Sequence, residues 1–261
     1  MAKYEKAAEA LRNEIRAGQP QAGERLPAET TLAERFRVSL PTIRQALGVL
    51  QAEGLIERRH GRGTFVREPR RLVARTNERH QWEKDRARQP LAEREKTGAT
   101  ERDTGLQVDD LVFSAAYEEV PADADLAGAL GVCEGESLVR RSYQTRYRRE
   151  DFPFNIAASY LVRDMVAANP RLLDDSEEPW PGGTQSQLHT VGIEVARVEE
   201  RVTARPPSAE EAEALGLHPG VSVLVLRKSC VDTEGRVVEV SDVILPGDRT
   251  EMVFVTPLER W

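Results

Sequence analysis

The sequence predicts an α+β protein of two domains, a winged helix-turn-helix followed by a strand-rich antiparallel α+β domain. Three observations predict it. Residues 39–50, SLPTIRQALGVL, combine a capping Ser39, Pro41 in the first turn and an apolar stripe of Ile43, Ala46, Leu47 and Leu50 at spacings of three and four. Directly after it, two short β patterns flank the Gly-punctuated basic turn Arg59-His60-Gly61-Arg62-Gly63. Beyond residue 105, a strand, a helix and a hairpin follow one another twice, which is an α+β layout with internal duplication.

In chain order, a first helix is predicted over 3–17, with Tyr4, Ala7, Ala8, Leu11 and Ile15 on one face and Gly18 closing it. Residues 19–25 read as a loop whose Arg25 is placed to anchor a phosphate. Leu26-Pro27-Ala28-Glu29 then opens a short helix carrying Leu32, Ala33 and Phe36, and a tight turn leads to Ser39. Two short helices so joined are expected to set the second into the DNA major groove, N-terminal residues against base edges. Thr42, Arg44 and Gln45 fall on its exposed side. Arg44 suits a bidentate guanine contact or a phosphate clamp, Ser39 and Thr42 the DNA backbone, and Gln45 an adenine or a phosphate. Gly54 stops the helix, and strands 55–58 and 64–66 make the wing. Its tip offers Arg59, His60 and Arg62, with Gly61 and Gly63 bringing backbone close to the groove and Thr64 opening the second strand.

Residues 69–104 are crowded with charge of both signs and poor in aliphatic side chains, and are expected to be a solvated linker, partly disordered, with Trp82 in a short helical stretch. The domain over 105–261 is predicted as strand 112–120, helix 121–130, a hairpin of 137–147 and 152–160, a loop 180–184 and a short helix 185–191. A strand over 193–204, a helix opened by the capping box at Ser208, a hairpin of 221–231 and 237–245 and a last strand 252–256 complete it.

The net charge of −7 would by itself argue against nucleic acid, but residues 1–75 hold 15 Lys and Arg against 9 Asp and Glu, a balance of +6 that leaves −13 elsewhere. A basic head on an acidic body is the footprint expected of a DNA-binding module joined to something else. Cys133 and Cys230 are far apart in apolar surroundings and fit a reduced cytoplasm. No leader pattern and no membrane span is expected, since the longest aliphatic run, 221–226, is of strand length.

The run from Tyr4 to Val66 resembles the winged-helix domain of GntR-family bacterial transcriptional regulators. The likeness is carried by Leu26-Pro27-Ala28-Glu29, by Val38-Ser39-x-x-Thr42-Ile43-Arg44-x-Ala46-Leu47, by Glu53-Gly54-Leu55-Ile56 and by His60-Gly61-Arg62-Gly63-Thr64-Phe65-Val66. It departs at Thr30 and Leu40, where the family commonly carries Arg, although Leu40 can meet a thymine methyl. The resemblance implies a DNA-binding set of Arg25, Glu29, Ser39, Leu40, Thr42, Arg44, Gln45, Arg59, His60, Gly61, Arg62, Gly63 and Thr64.

The second half is similar to the UTRA ligand-binding domain of the HutC subfamily, whose fold is chorismate-lyase-like. Leu126-x-x-x-Leu130-Gly131-Val132 with Gly135-Glu136, then Ala212-x-x-Leu215-Gly216-Leu217-x-x-Gly220 with Gly235-Arg236-x-Val238-Glu239, carry that likeness. It implies an effector site at Arg141 and Glu239, with Tyr143 in place of a second Arg and with Ser159, Tyr160 and Thr184 beside them. Arg141 would pair with an anionic or polar effector and Glu239 with its hydroxyl or amine. Ala157 and Val243-Ile244-Leu245 stand where the family has a Glu and a Tyr-rich run, which points away from a sugar phosphate.

The expected function is a cytoplasmic homodimeric repressor, associated with the nucleoid, whose affinity for an inverted-repeat operator is set by a small-molecule effector. No cofactor and no metal is expected. Two other readings are a lyase-type enzyme fused to a DNA-binding domain and a structural DNA-bridging protein; the chain carries no nucleophile elbow, zincin motif or phosphate loop that would favour the first.

Overall fold

Residues 1–68 and 70–259 are described by the computed structural model, and contacts divide them into two units, Met1–Arg71 with Pro206–Ser222 and Leu72–Arg205 with Val223–Trp261. The first unit holds α1 (Lys3–Arg16), α2 (Glu29–Phe36) and α3 (Leu40–Ala52), then a hairpin of β1 (Ile56–Arg59) and β2 (Gly63–Val66). Ser39 caps α3 as its sequence predicts, its Oγ accepting from the Thr42 amide at 3.4 Å. The stripe Ile43, Ala46, Leu47 and Leu50 is buried against Ala7, Ala8 and Leu11 of α1, Leu32 of α2, and Ile56 and Val66 of the wing. Each buried Leu or Ile there contributes about 1.5–3 kcal/mol, so this stripe fixes the orientation of the opposite face. The turn between α2 and α3 is tight enough to force Arg37 to φ +52°.

The wing gains a third edge from the segment read as a loop. Arg25 bridges Phe65, and Leu26 N donates to Thr64 O at 2.8 Å. Pro206–Ser222, which includes the predicted helix (Ala209–Ala214, capped by Ser208), groups with this unit instead of the domain expected over 105–261. There Arg70 donates to the Leu215 carbonyl at 2.9 Å and His218 Nε2 lies 3.3 Å from Glu57.

In the second unit, 72–104 is not the solvated linker expected. It forms β3 (Val73–Thr76), α4 (Arg79–Ala87), α5 (Leu91–Arg94) and α6 (Ala99–Thr104). The reason is that its cations find partners on folding: Arg79 pairs with Asp103 within the segment, Arg75 with Glu200 of β7 at 2.7 Å, and Arg86 donates to the carbonyls of Glu93, Arg94 and Thr97. After β4 (Leu111–Pro121), α7 (Ala124–Leu130), β5 (Ser137–Tyr147) and β6 (Ile156–Val162) come α8 (Arg163–Val166) and α9 (Gly183–His189). Then follow β7 (Val195–Arg205), β8 (Val223–Asp232), β9 (Val237–Pro246) and β10 (Thr250–Val253).

Six strands make one antiparallel sheet in the order β4-β5-β6-β9-β8-β7. The duplicated pattern read in the sequence thus closes on itself, with the two hairpins meeting where Ser159 of β6 faces Ser241 of β9. The last strand lies outside this sheet and pairs in parallel with β3. One face of the sheet is covered by α7, through Leu126, Ala127 and Leu130 against Leu138, Val162 and Val240. The other face carries the alternate residues of every strand, and these define the site below.

Candidate functional site

On the first unit, burial of the α3 stripe leaves Leu40, Arg44 and Gln45 exposed and Thr42 half-exposed. Ser39 Oγ and Thr42 Oγ1 lie 2.9 Å apart, so both hydroxyls sit together at the helix start, where unpaired backbone N–H groups favour an anion. Arg44 Nε lies 2.7 Å from Oε2 of Glu29, and the Arg44 carbonyl accepts from Arg58 Nη2 at 3.3 Å. His60, Gly61 and Arg62 form the exposed tip, while Thr64 is half-buried in β2 opposite Arg58. Arg59 stacks on Phe65 at 4.6 Å and pairs with Glu57 at 2.5 Å. Gly63, at φ +116°, has the Arg25 guanidinium where a side chain would go: a Cβ there would sit 2.6 Å from Arg25 Nε. Arg25, Arg59 and Arg62 therefore belong to one wing, and the thirteen DNA-binding candidates fall on α2, α3 and that wing.

In the second unit the face of the sheet opposite α7 bounds a cavity of about 630 Å³. Its floor comes from β4, β5, β6, β8 and β9, its roof from 73–103 and one end from 178–187. Strand register orders the floor into rows. One row reads Tyr117, Arg141, Ser159, Ser241, Lys228 and Glu200; the next reads Ala115, Tyr143, Ala157, Val243, Leu226 and Val202; a third begins Phe113 and Thr145, and in it Leu245 pairs with Leu224.

The polar row is a closed network. Arg141, 1% exposed, donates to Gln187 Oε1 (2.6 Å), Ser159 Oγ (2.9 Å), Thr184 Oγ1 (3.4 Å) and Glu239 Oε1 (3.2 Å). Glu239, equally buried, also accepts from Ser159 (2.6 Å) and Thr184 (3.2 Å) and lies 2.9 Å from Lys228 Nζ. Burial alone would raise the Glu239 carboxyl, but Lys228 and Arg141 together hold it far below the usual range. Tyr143 and Tyr117 share Glu178 as acceptor, at 3.1 Å for Tyr143, and desolvation pushes both phenols up, Tyr117 to about 12. Both are neutral donors at physiological pH.

Two sequence expectations need correcting. Tyr160 does not face the cavity: adjacent to Ser159 on a strand, it points to the opposite face and packs with the α7 cluster. Arg141 does not line the cavity either; it lies behind Ser159 and Glu239, which do, and the sheet cation that reaches the wall is Lys228. Tyr143, Ser159, Thr184 and Glu239 line the cavity. Cys230 is buried, its thiol donating to Glu239 Oε2 at 3.2 Å, whereas Cys133 is exposed despite its apolar neighbours in sequence.

Sequence reasoning missed the roof. Arg75, Arg79, His80, Trp82, Glu83, Arg86 and Arg94 all line the cavity, as do Glu178 and Trp180 from the end wall. Trp82 lies under two guanidinium groups, Arg86 at 4.6 Å and Arg102 at 5.0 Å. The available signal was the Trp82–Arg86 spacing of one helical turn within a run of opposite charges.

Comparison with known proteins gives two family matches along the chain. Residues 3–66 match the model described as bacterial regulatory proteins, gntR family, and residues 115–251 match the UTRA domain. The chain is 29% identical to an uncharacterized HTH-type transcriptional regulator of Rhizobium meliloti (strain 1021), covering 98% of this chain and 96% of that one. It is 26% identical to the HTH-type transcriptional repressor NagR of Bacillus subtilis (strain 168), over 98% and 95% of the two chains. Among solved structures it is similar, at 28% identity and a TM-score of 0.68 over 99% of both chains, to a protein provisionally described as a GntR-family transcriptional regulator. The fold is also that of PhnF from Mycobacterium smegmatis, with a TM-score of 0.54 at 22% identity and coverage of 97% and 99%.

Proposed function

The chain belongs to the GntR family, as a helix-turn-helix transcriptional regulator with a UTRA effector-binding domain, and on that premise we propose that it is a repressor released from its operator by a small molecule held in the cavity of the second unit. The observation that carries this reading is the identity of the roof. Residues 73–103, which wall the cavity, are the stretch through which the chain passes from the DNA-reading unit to the sheet. A ligand touching both roof and floor makes contacts that depend on the position of that stretch. It therefore has the differential affinity for two arrangements that any effector needs.

The DNA side of the proposal assigns reading to Arg44, Gln45 and Leu40 in the major groove, phosphate binding to Ser39, Thr42, Arg25, Arg59 and His60, and the minor groove to Arg62 between Gly61 and Gly63, with Glu29 and Thr64 as supports. One such head buries too little surface for tight specific binding, so two heads of a homodimer on an inverted repeat are the working unit, acting on cytoplasmic DNA. A lyase-type activity has no support, because the family and its relatives are regulators.

The test is footprinting of the purified protein on the DNA upstream of its own gene, with and without candidate metabolites. A protected inverted repeat whose protection fades with one metabolite is the expected outcome. Protection of scrambled and upstream duplexes alike would overturn the regulator reading in favour of unspecific DNA bridging.

A further inference from the structure

Resting on the reading that the first unit binds an operator under control of the cavity, we propose that Pro206–Ser222 is a clasp. This excursion between β7 and β8 grips the base of α3 and the wing, holds the DNA-reading unit ready for a two-fold repeat, and gives the cavity a second route to it besides 73–103.

The segment is continuous with the sheet at both ends, yet its contacts assign it to the DNA-reading unit. Adjacent antiparallel strands are usually joined by roughly two to five residues. This connection runs from 206 to 222, carries its own capped helix and buries Leu215 and Val221. Its extra length reaches Ala52, Glu57 and Arg70.

Gly220 lies against the last residue of α3: at φ +88°, a Cβ there would overlap the Ala52 carbonyl oxygen and come within 2.8 Å of its Cα. Glycine suits that backbone and is the one residue that allows so close an approach. His218 Nε2 lies 3.3 Å from Oε2 of Glu57 in β1, and the Leu215 carbonyl accepts from Arg70 Nη2 at 2.9 Å just beyond the wing. Glu57 also pairs with Arg59, so it keeps a cation when His218 withdraws. None of Ala52, Glu57 and Arg70 is a DNA-binding candidate. Opening the clasp therefore loosens the unit and leaves its reading residues intact.

Both ends of the clasp are rooted at one point, because Arg205, last in β7, is paired with Val223, first in β8. Five residues before Arg205, Glu200 binds the roof through Arg75 at 2.7 Å and His80 at 3.1 Å. Five residues after Val223, Lys228 reaches the cavity wall, 2.9 Å from Glu239. Glu200 and Lys228 are themselves cross-strand partners. A hydrogen-bonded strand pair moves as a stiff element, so a ligand that displaces roof or wall also displaces the root of the clasp. A ligand whose affinity depends on the position of that pair changes how firmly the clasp holds.

The experiment compares the unaltered full chain with Gly220→Val and His218→Ala. Each is titrated with two duplexes, the inverted repeat protected in footprinting and a duplex bearing one half of it, and each is followed by amide hydrogen exchange. Gly220→Val should raise exchange over 215–221 and 52–57 and leave half-site affinity unchanged. It should weaken the inverted repeat about tenfold or more, because a loosely held second head has a lower effective concentration. His218→Ala should do the same to a smaller extent, and is the decisive variant if Gly220→Val does not fold. The metabolite that releases the unaltered protein should release Gly220→Val little further. Unchanged exchange, unchanged affinity for the inverted repeat, or an equal loss on both duplexes would overturn the proposal, the last because it would make the segment a support of the head's own fold. A full response of Gly220→Val to the metabolite would overturn the second route. Failure of the unaltered protein to protect any inverted repeat would overturn the operator reading instead, and the clasp would then stand or fall on hydrogen exchange.

Discussion

Arg44 Nε and Glu29 Oε2 lie 2.7 Å apart, tying the first exposed Arg of α3 to the first residue of α2. The Arg44 side chain is otherwise 62% exposed, so this contact restricts a flexible group on the open side of the helix without burying it. On the proposed reading, in which Arg44 meets a base edge, Glu29 is the residue that positions its guanidinium.

Replacing Arg44 by Ala should therefore relax specificity more than it reduces affinity for unrelated DNA. A good bidentate base contact is worth about 1–3 kcal/mol of discrimination, so the ratio of operator to scrambled-duplex affinity should fall roughly 5- to 150-fold. Glu29→Gln should lower the same ratio by less, since Arg44 keeps its donors and loses only its tether. Titrations of both duplexes at one salt concentration measure it, and an unchanged ratio in Arg44→Ala would reject the assignment.

Arg59 and Arg62 should behave differently. Both sit at the wing, where the phosphate contact proposed for Arg59 adds affinity without reading sequence and the minor groove proposed for Arg62 offers little beyond A·T against G·C to read. Arg59→Ala or Arg62→Ala should weaken operator and scrambled duplex alike, and each should reduce the slope of log K against log salt by about one. Arg59 also stacks on Phe65, so its loss should lower the melting temperature slightly, which that of Arg62 should not.

Gly61 and Gly63 separate two uses of glycine in one turn. Gly61, at φ +68°, has open space where a Cβ would go, so Gly61→Ala costs only the left-handed backbone, about 1–2 kcal/mol. Gly63→Ala adds a collision with Arg25 and should both destabilise the protein more and weaken DNA binding by displacing that side chain. Chemical denaturation and a binding titration on the two variants give the comparison; an equal effect of both would show that the Arg25 contact is unimportant.

How much of this was legible in the sequence depends on how local each feature is. The DNA-reading unit rests on a cap at Ser39, a stripe through Leu50 and a turn at Gly61, all readable within a dozen residues, and each is found where it was expected. The strands were legible too, because alternation in 137–147 and 237–245 marks them, but their order in the sheet was not, since it depends on pairing between Ser159 and Ser241, far apart in sequence. Arg141 was taken for a wall residue from the family likeness, which gives a position on a strand but not a depth, and it lies behind the wall. Tyr160 failed on the face itself, one residue out of step with Ser159. The roof was hidden for another reason. Arg75, Arg79 and Arg86 read as solvated charges because their partners Glu200, Asp103 and the carbonyls beyond Glu93 are distant in sequence or are backbone.

The buried pair behind the floor makes a prediction about stability. Arg141 and Glu239 are each 1% exposed, so removing Glu239 leaves Arg141 buried without its carboxylate, whereas removing Arg141 leaves Glu239 its contact with Lys228. Glu239→Leu should therefore cost about 3–5 kcal/mol and Arg141→Leu less, while the double variant Arg141→Leu with Glu239→Leu should cost less than the sum of the two single changes. Urea unfolding of the three variants tests this, and strict additivity would mean that the two groups act independently.

The last prediction concerns pH and the roof. Burial pulls the His80 imidazole down, but Glu200, 3.1 Å from Nε2, and Glu83, 3.9 Å from Nδ1, outweigh it, so its folded pKa lies above the ordinary value despite Lys228 nearby. A raised pKa contributes stability that is complete below the unfolded value, near 6.5, and is lost as pH climbs through the folded value. The carboxylates act in the opposite sense. Burial raises both Glu83 and Glu200, but hydrogen bonding to His80 and the neighbouring cations, Arg79 and Lys228 for Glu83 and Arg75 for Glu200, overcome it and hold each at about 2. Their contribution is present above the unfolded value of 4.5 and disappears as pH falls toward 2. The two windows overlap between about pH 5 and 6.5, where all three groups are charged and the roof is held most firmly. Amide hydrogen exchange over α4, corrected for intrinsic rates, should show its greatest protection there, with the alkaline loss abolished in His80→Asn. Protection that rises steadily from pH 6 to 8 in the unaltered protein would contradict the assignment, because it would require a neutral imidazole to hold the two carboxylates better than a charged one.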